Sequence, residues 1–337
     1  MEGELKNFIS VIIMGFISMY YCYYIAAKIP QGLPRLISLL PVITLFSVLP
    51  LNIHSFHIGT PVVFILAWIT NFKLLLLAFE QGPLSPPPPG AHLFILTACS
   101  PFRIKQSQPK TKRTTGPNVV SEAANKAALL ALLFHCYNYR QCFPRQVLLI
   151  LYFFHTYLTI QLFLALAAIP ALILLGVELE PQFNAPLLAT SLQDFWGRRW
   201  NLRVSDTLRP TVYSPIRSVS TRIIGPRWAS LPAVFATFLT SGLMHELIYY
   251  HITREFPTWE VTWFFVLQGI FVDIEIVLKK KLLFRLHRSV SGPLALANLA
   301  VTAGWLSYRQ LLRNGVDEKV INEFNAFLEF LKRFSMI

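Results

Sequence analysis

Eight stretches of the chain are each long and apolar enough to cross a lipid bilayer as a helix. They are residues 8–27, 36–51, 58–79, 119–137, 146–177, 229–251, 259–278 and 293–312. About 20 apolar residues in a helix cover the hydrocarbon core. The second stretch is expected to kink at Pro41, and the fourth opens on an i,i+4 pair, Glu122 and Lys126, that headgroups would meet. The fifth is long enough for one strongly tilted helix or for two pieces broken before Pro170. Residues 1–7 carry Glu2 and Glu4 against Lys6, the wrong sign for the basic start of a cleaved signal peptide, so 8–27 is expected to be a retained span. Charged residues make up 14% of the 337, and hydrophobic residues 54%. A soluble domain carries about 25% charge to coat its surface. That coat is missing here, which excludes a large soluble enzyme, and the apolar mass excludes a disordered chain. The expected fold is all-α: one polytopic transmembrane helical bundle of about eight spans, occupying residues 1–337.

Lysine and arginine number 30 against 17 acidic residues, a formal charge of +13. On a soluble domain that excess would suggest nucleic acid. In a membrane protein it sets orientation, because basic residues collect in cytoplasmic loops. Alternate loops between the eight stretches hold 19 and 8 of these residues. The richer side is therefore expected to face the cytosol and both termini the lumen. The expected partner is the bilayer, with no nucleic acid. Cys22, Cys99, Cys136 and Cys142 show no CxxC or CxxH spacing, so neither a zinc site nor a disulfide framework is expected. His54, His57, His92, His135, His155 and His287 show no metal-ligand spacing either. There is no P-loop, GxSxG elbow or HExxH, and no internal repeat of the kind transporters show.

Two connections are long. Residues 80–118, read as a cytosolic Pro-rich and basic loop, contain PLSPPPPG (83–90) and a basic stretch at 103–113. Polyproline makes a stiff spacer, and the basic stretch suits a tether near anionic lipid. The second, 178–228, holds seven arginines and reads TSLQDFWGRRWNLRVSDTLRPTVY over 190–213. Phe195, Trp196, Trp200 and Tyr213 among arginines suit a segment folded against the bilayer face or into a polar pocket. Near the C-terminus, Phe324, Phe327, Leu328 and Leu331 share one face of an expected interfacial helix over 322–334.

Inside the spans the informative residue is His245, in TFLTSGLMHELIYYH (237–251), with Glu246 beside it. Ionisable groups at this depth usually face a bundle interior or a cavity. Ser241, Gly242 and Tyr249 fall on its face at helical spacing, which offers hydroxyl partners and room beside the ring. A neutral imidazole is a suitable general base near pH 7. Spacing alone leaves that reading open beside a histidine hydrogen-bonded for packing. Asp273 and Glu275 point to different faces, Asp273 as a buried partner and Glu275 in an i,i+4 pair with Lys279. Lys73 is expected to snorkel to the interface.

The runs SLQDFWGRRWNLRVSDTLRPTVY (191–213) and SGLMHELIYY (241–250), in this order, resemble the membrane-bound O-acyltransferase family, and within it the plant wax synthase branch of long-chain-alcohol O-fatty-acyltransferases. LEPQFNAP (179–186), leading into DFWGRRWN, belongs to the same resemblance. It implies transfer of a fatty acyl group from acyl-CoA to an acceptor hydroxyl inside a tunnel through the helical bundle. The family's intramembrane histidine matches His245, and its second active-site position matches Asn201, which ends DFWGRRWN. The implied roles are general base for His245 and, for Asn201, a hydrogen bond to the thioester or its oxyanion, or to the imidazole. Gln193, Asp194, Phe195, Trp196, Arg198, Arg199, Trp200 and Arg203, with Ser241 and Tyr249, form the expected substrate-binding set within an active-site loop at 178–228. Arginine forks on the cytosolic side suit coenzyme A phosphates. The leading expectation is a wax synthase of the endoplasmic reticulum membrane that esterifies a long-chain fatty alcohol. The alternatives are an acyl-CoA:sterol O-acyltransferase and, in another class, a lipid or ion conduit lined by His245, Asp273 and Lys73. No metal or tightly bound cofactor is implied, coenzyme A arriving with the acyl donor.

Overall fold

The computed structural model describes residues 2–102, 117–175, 180, 182–281 and 286–335. Among them there are helices and turns and no strand. Among the described residues, seven helices are long and apolar enough to cross a bilayer. They are α1 (Gly3–Lys28), α2 (Leu33–Asn52), α3 (Phe56–Ala78), α6 (Arg145–Leu175), α9 (Ser230–Thr253), α10 (Glu260–Lys281) and α11 (Arg288–Arg313). Between and after them lie α4 (Ala91–Cys99), α5 (Pro117–Tyr137), α7 (Leu202–Leu208), α8 (Ser214–Ile224) and α12 (Val316–Ser335). Helix α2 continues through Pro41, and α6 is one helix that runs through Pro170. The stretch expected at 119–137 is α5, whose 21 residues suffice for a crossing.

Two expected loops are built differently. Residues 80–118 include the helix α4, and the basic stretch 103–113 lies outside the described residues. Residues 178–228 are mostly short helical pieces: a turn at Leu192–Asp194, a π-helical turn at Phe195–Arg199, α7, a second π-helical turn at Arg209–Tyr213, and α8. The pieces before α8 are too short to show a hydrophobic period. Leu179 and Pro181, from the motif that leads into this segment, also lie outside the described residues.

The chain divides into two compact units, Met1–Ser100 with Phe183–Glu323, and Pro101–Gln182 with Phe324–Ile337. In the second unit α5 and α6 pair as a hairpin, with His155 against Phe134 and Tyr137. Phe324 stacks on Phe134 with ring centroids 3.7 Å apart, while Phe327 and Leu328 on the same helix stay exposed.

The first unit is apolar outside and partly polar inside, the reverse of a soluble domain. Ile17, Leu294 and Val301 are more than half exposed, whereas Asn71, Gln268 and Gln310 are buried. Asn71 Nδ2 donates to the Ile43 carbonyl and Ser47 Oγ, which ties α3 to α2. Lys73 does not snorkel. Its Nζ donates to the carbonyls of Thr97 and Ser100, 2.7 and 2.6 Å away, and so closes the C-terminus of α4.

Contacts at the helix ends fix the alternation of the spans. Arg254, just past α9, donates to the carbonyls of Leu51 and Ile53, and Glu260 pairs with Arg313. These residues mark one end of the unit. At the other, Arg35 binds the Leu77 carbonyl, and the lysines closing α10 meet Gln193 and Trp228. Helix α3 packs on α9, starts near the Arg254 end and finishes at the basic end, where α9 begins. The chain between Ala78 and Ser230 therefore makes an even number of crossings. Helix α6 is long and apolar enough for one, and α5 is long enough for another, which fits a bundle of about eight spans.

Two carboxylates hold the turn before α3. Glu4 accepts from the backbone N–H of His54 and Ser55. Glu323 of α12 accepts from the N–H groups of Phe56 and His57, from Ser55 Oγ and from His57 Nδ1. These are N–H groups that the first turn of a helix leaves unpaired. Burial raises the Glu323 carboxyl, but the hydrogen bonds from His57, Phe56 and Ser55 outweigh it and hold the group below the usual carboxylate range. A group depressed on folding stabilises the protein above its unfolded pKa, about 4.3, and loses that contribution as pH falls through the folded value. Glu323→Gln is expected to lower stability by about 1.5–3 kcal/mol at neutral pH. The wild-type thermal midpoint should fall towards that of the variant only below about pH 4.3. Melting curves of both proteins across this range check the sign.

Candidate active site

Helices α9 and α10 approach closely because each presents a glycine. A Cβ on Gly242 would lie 3.0 Å from the Thr262 Cα, and one on Gly269 would lie 2.9 Å from the Phe238 Cβ. Small residues at such seams let membrane helices pack backbone to backbone. The approach places Phe265 flat against the His245 imidazole, with centroids 4.2 Å apart at 28°. Trp68 meets the same ring edge-on at 5.1 Å, from the π-helical turn Phe64–Thr70 inside α3. The space beside Gly242 is thus filled by Thr262 and Phe265 and is not left open for the histidine.

The imidazole is fixed by one hydrogen bond, from Nδ1 to the Ser241 carbonyl at 2.7 Å. A carbonyl only accepts, so Nδ1 carries a proton. In the neutral ring Nε2 then holds a lone pair, and it makes no hydrogen bond among the described residues. As a whole residue His245 is half-buried. The hydroxyl partners expected from helical spacing do not form. Ser241 contributes its carbonyl, and Tyr249 OH donates to the Ser307 carbonyl of α11 at 3.0 Å. Glu246 faces elsewhere and accepts from the Thr262 N–H in the first turn of α10. Glu275 pairs with Lys279 as expected, while Asp273 Oδ1 is buried without a hydrogen-bond partner among the described residues.

The segment 191–203 is built mainly by its own residues. Ser191 Oγ accepts from the Asp194 N–H, and Asp194 accepts from the Thr190 N–H and from Arg199 Nε at 2.7 Å. Burial alone would raise the Asp194 carboxyl, but the hydrogen bonds from Thr190 and Arg199 bring it below its ordinary value. Arg199 also donates to the Asn184 and Ala185 carbonyls. Phe195 stacks under Trp200 at 5.4 Å, and buried Arg203 pairs with Asp206. Gln193 is tied to Glu275 and Lys279 at the end of α10. These polar groups are occupied in holding the segment together and in pinning it to α10.

Three motif residues differ. Arg198 is exposed and makes no hydrogen bond or ion pair among the described residues. Asn201 sits in the left-handed region at φ 39°, with its side-chain Oδ1 buried and without a hydrogen-bond partner among the described residues. Trp196 reaches inward, packs on Phe238 and Phe265, and donates its indole N–H to Gln268 Oε1 at 3.2 Å. Phe265 therefore touches both motifs, Trp196 on one side and His245 on the other. No hydrogen bond joins Asn201 to His245 among the described residues.

Residues 179–267, which include Asn201 and His245, match the model of the membrane bound O-acyl transferase family. The chain is 46% identical over 339 residues to probable long-chain-alcohol O-fatty-acyltransferase 1 of Arabidopsis thaliana, with 99% of each protein covered. It is 44% identical to the long-chain-alcohol O-fatty-acyltransferase of Simmondsia chinensis, over 98% of this chain and 97% of that one. The chain belongs to the membrane-bound O-acyltransferase family. As a member of this family with seven strongly apolar helices, it is a multi-pass membrane protein.

Sequence reasoning missed three residues of this candidate site in the O-acyltransferase: Trp68, Phe265 and Gln268. Nothing local marks the two aromatics among so many others. Gln268 did carry a signal, being a lone amide in an apolar span. It is fully buried, and its Nε2 donates to Asn298 Oδ1 and Thr302 Oγ1 at 3.2 and 2.9 Å. Interhelical hydrogen bonds in membranes contribute about 0.6 kcal/mol on average and up to about 1.7. Gln268→Leu, which loses three such bonds, is expected to cost about 2 kcal/mol. It should also free Trp196 to rotate against Phe265. The thermal midpoint of the purified variant checks the first effect and its turnover the second.

Proposed function

We propose that this chain transfers a fatty acyl group from acyl-CoA to a long-chain fatty alcohol and so makes a wax ester, in the endoplasmic reticulum membrane with its basic end in the cytosol. The observation that carries the reading is the His245 tautomer: Nδ1–H is held by the Ser241 carbonyl and Nε2 is left free, inside the stretch that matches the family. Nε2 takes the hydroxyl proton as the alcohol oxygen attacks the thioester carbonyl. A C–O bond forms, the C–S bond breaks, and the proton leaves with the coenzyme A thiolate, so His245 ends as it began. Asn201 offers the N–H of its side-chain amide to the developing oxyanion. Arg198, exposed at the basic end, is available to coenzyme A phosphates. The thioester is already activated, so no acyl-enzyme is required.

The relatives named for long-chain alcohols support the acceptor class over sterols. Membranes containing the protein, given labelled acyl-CoA with hexadecanol or with a sterol, test it by separation of the neutral lipids. Wax ester without steryl ester is the expected result. Steryl ester alone would replace the acceptor, and neither product would remove the reading.

A further inference from the structure

Helix α8 is amphipathic, too short to span a bilayer, and only partly covered by the rest of its unit. Ser220, at the middle of its apolar face, is buried where α8 packs on α9. On either side of that contact Val219, Ile223 and Ile224 are 57, 76 and 47% exposed. Its opposite face carries Ser218, Thr221 and Arg222, all exposed. Arg209, Arg217 and Arg222 are exposed and make no side-chain hydrogen bond or ion pair among the described residues. From Asp206 to Glu246 the sequence holds four arginines and no intervening acidic residue.

The level of α8 in the bilayer is fixed by its neighbours. The span α9 starts at Ser230, six residues after α8 ends at Ile224. In that gap Trp228 lies beside two cations, Arg227 at 5.2 Å and Lys280 at 5.1 Å. Lys280 belongs to the triple lysine that closes α10. A tryptophan with basic residues where two spans end marks the headgroup layer. An apolar face left bare at that level meets acyl chains, and the arginines beside it meet lipid phosphates.

We infer that α8 lies flat in an anionic leaflet, with Val219 and Ile223 in its apolar layer and Arg217 and Arg222 on phospholipid headgroups. It thereby ties the segment 191–213 to the membrane surface. The source of the phosphate is lipid, and the inference does not depend on the proposed reaction.

The full chain, reconstituted in phosphatidylcholine with phosphatidic acid and then stripped by detergent, is assayed by mass spectrometry for the lipid it retains. Wild type is expected to keep phosphatidic acid severalfold over its share of the mixture. R217Q/R222Q should lose that preference and R217K/R222K should keep most of it, at unchanged thermal midpoints. No preference in wild type, or an undiminished one in R217Q/R222Q, would overturn the inference. So would intact lipid preference with a raised KM for acyl-CoA, which would assign these arginines to the coenzyme A phosphates.

Discussion

His245→Ala is expected to lower turnover by about 10²–10⁴-fold, the range that general-base assistance supplies. The fall should lie in kcat, with KM for acyl-CoA little changed. The imidazole takes its proton only as the alcohol attacks, so its loss removes an interaction of the transition state and not of the bound substrates. The ring also fills the space between Phe265 and Trp68, and alanine leaves that space empty. Abundance and thermal midpoint must therefore be measured beside turnover. A folded variant with near-normal kcat would take the base away from His245, because Glu246 already spends one oxygen on the Thr262 N–H and points to another face. A fall in activity matched by an equal fall in protein level would leave His245 as a packing residue.

The parts legible in sequence are those that depend on local order. A run of about 20 apolar residues is its own evidence for a span, and the expected stretches coincide with helices. The helix α4 was hidden because nine residues after a polyproline run carry little period. The segment 178–228 was legible as folded, from its aromatics among arginines, but its π-helical turns were not. The face of His245 shows the limit most clearly. Helical spacing put the Ser241 and Tyr249 side chains beside it, yet the backbone carbonyl four residues back satisfies Nδ1 first. Tyr249 is long enough to reach Ser307 on another helix. The ring's two neighbours come from residues 68 and 265, on two other helices. Contacts between elements so far apart in sequence have no periodic signature.

Asn201 permits a sharper separation of chemistry from architecture, because its backbone and its side chain can be removed independently. At φ 39° it occupies a conformation that glycine adopts freely, whereas alanine there costs about 1–2 kcal/mol. Its backbone carbonyl receives the Val204 N–H that opens α7, and glycine keeps that bond. Asn201→Gly is therefore expected to fold with a thermal midpoint close to wild type, and Asn201→Ala with a lower one. If the amide donates to the oxyanion, both lose about 10²–10³-fold in kcat despite their different stabilities. Asn201→Asp, which keeps an acceptor but offers no N–H, should be no better. If the residue serves only to turn the chain from Trp200 into α7, Asn201→Gly will run at the wild-type rate and only alanine will suffer. Measuring kcat and thermal midpoint for the three variants decides between these roles, since a donor is lost equally with either small residue while a turn is lost only with alanine.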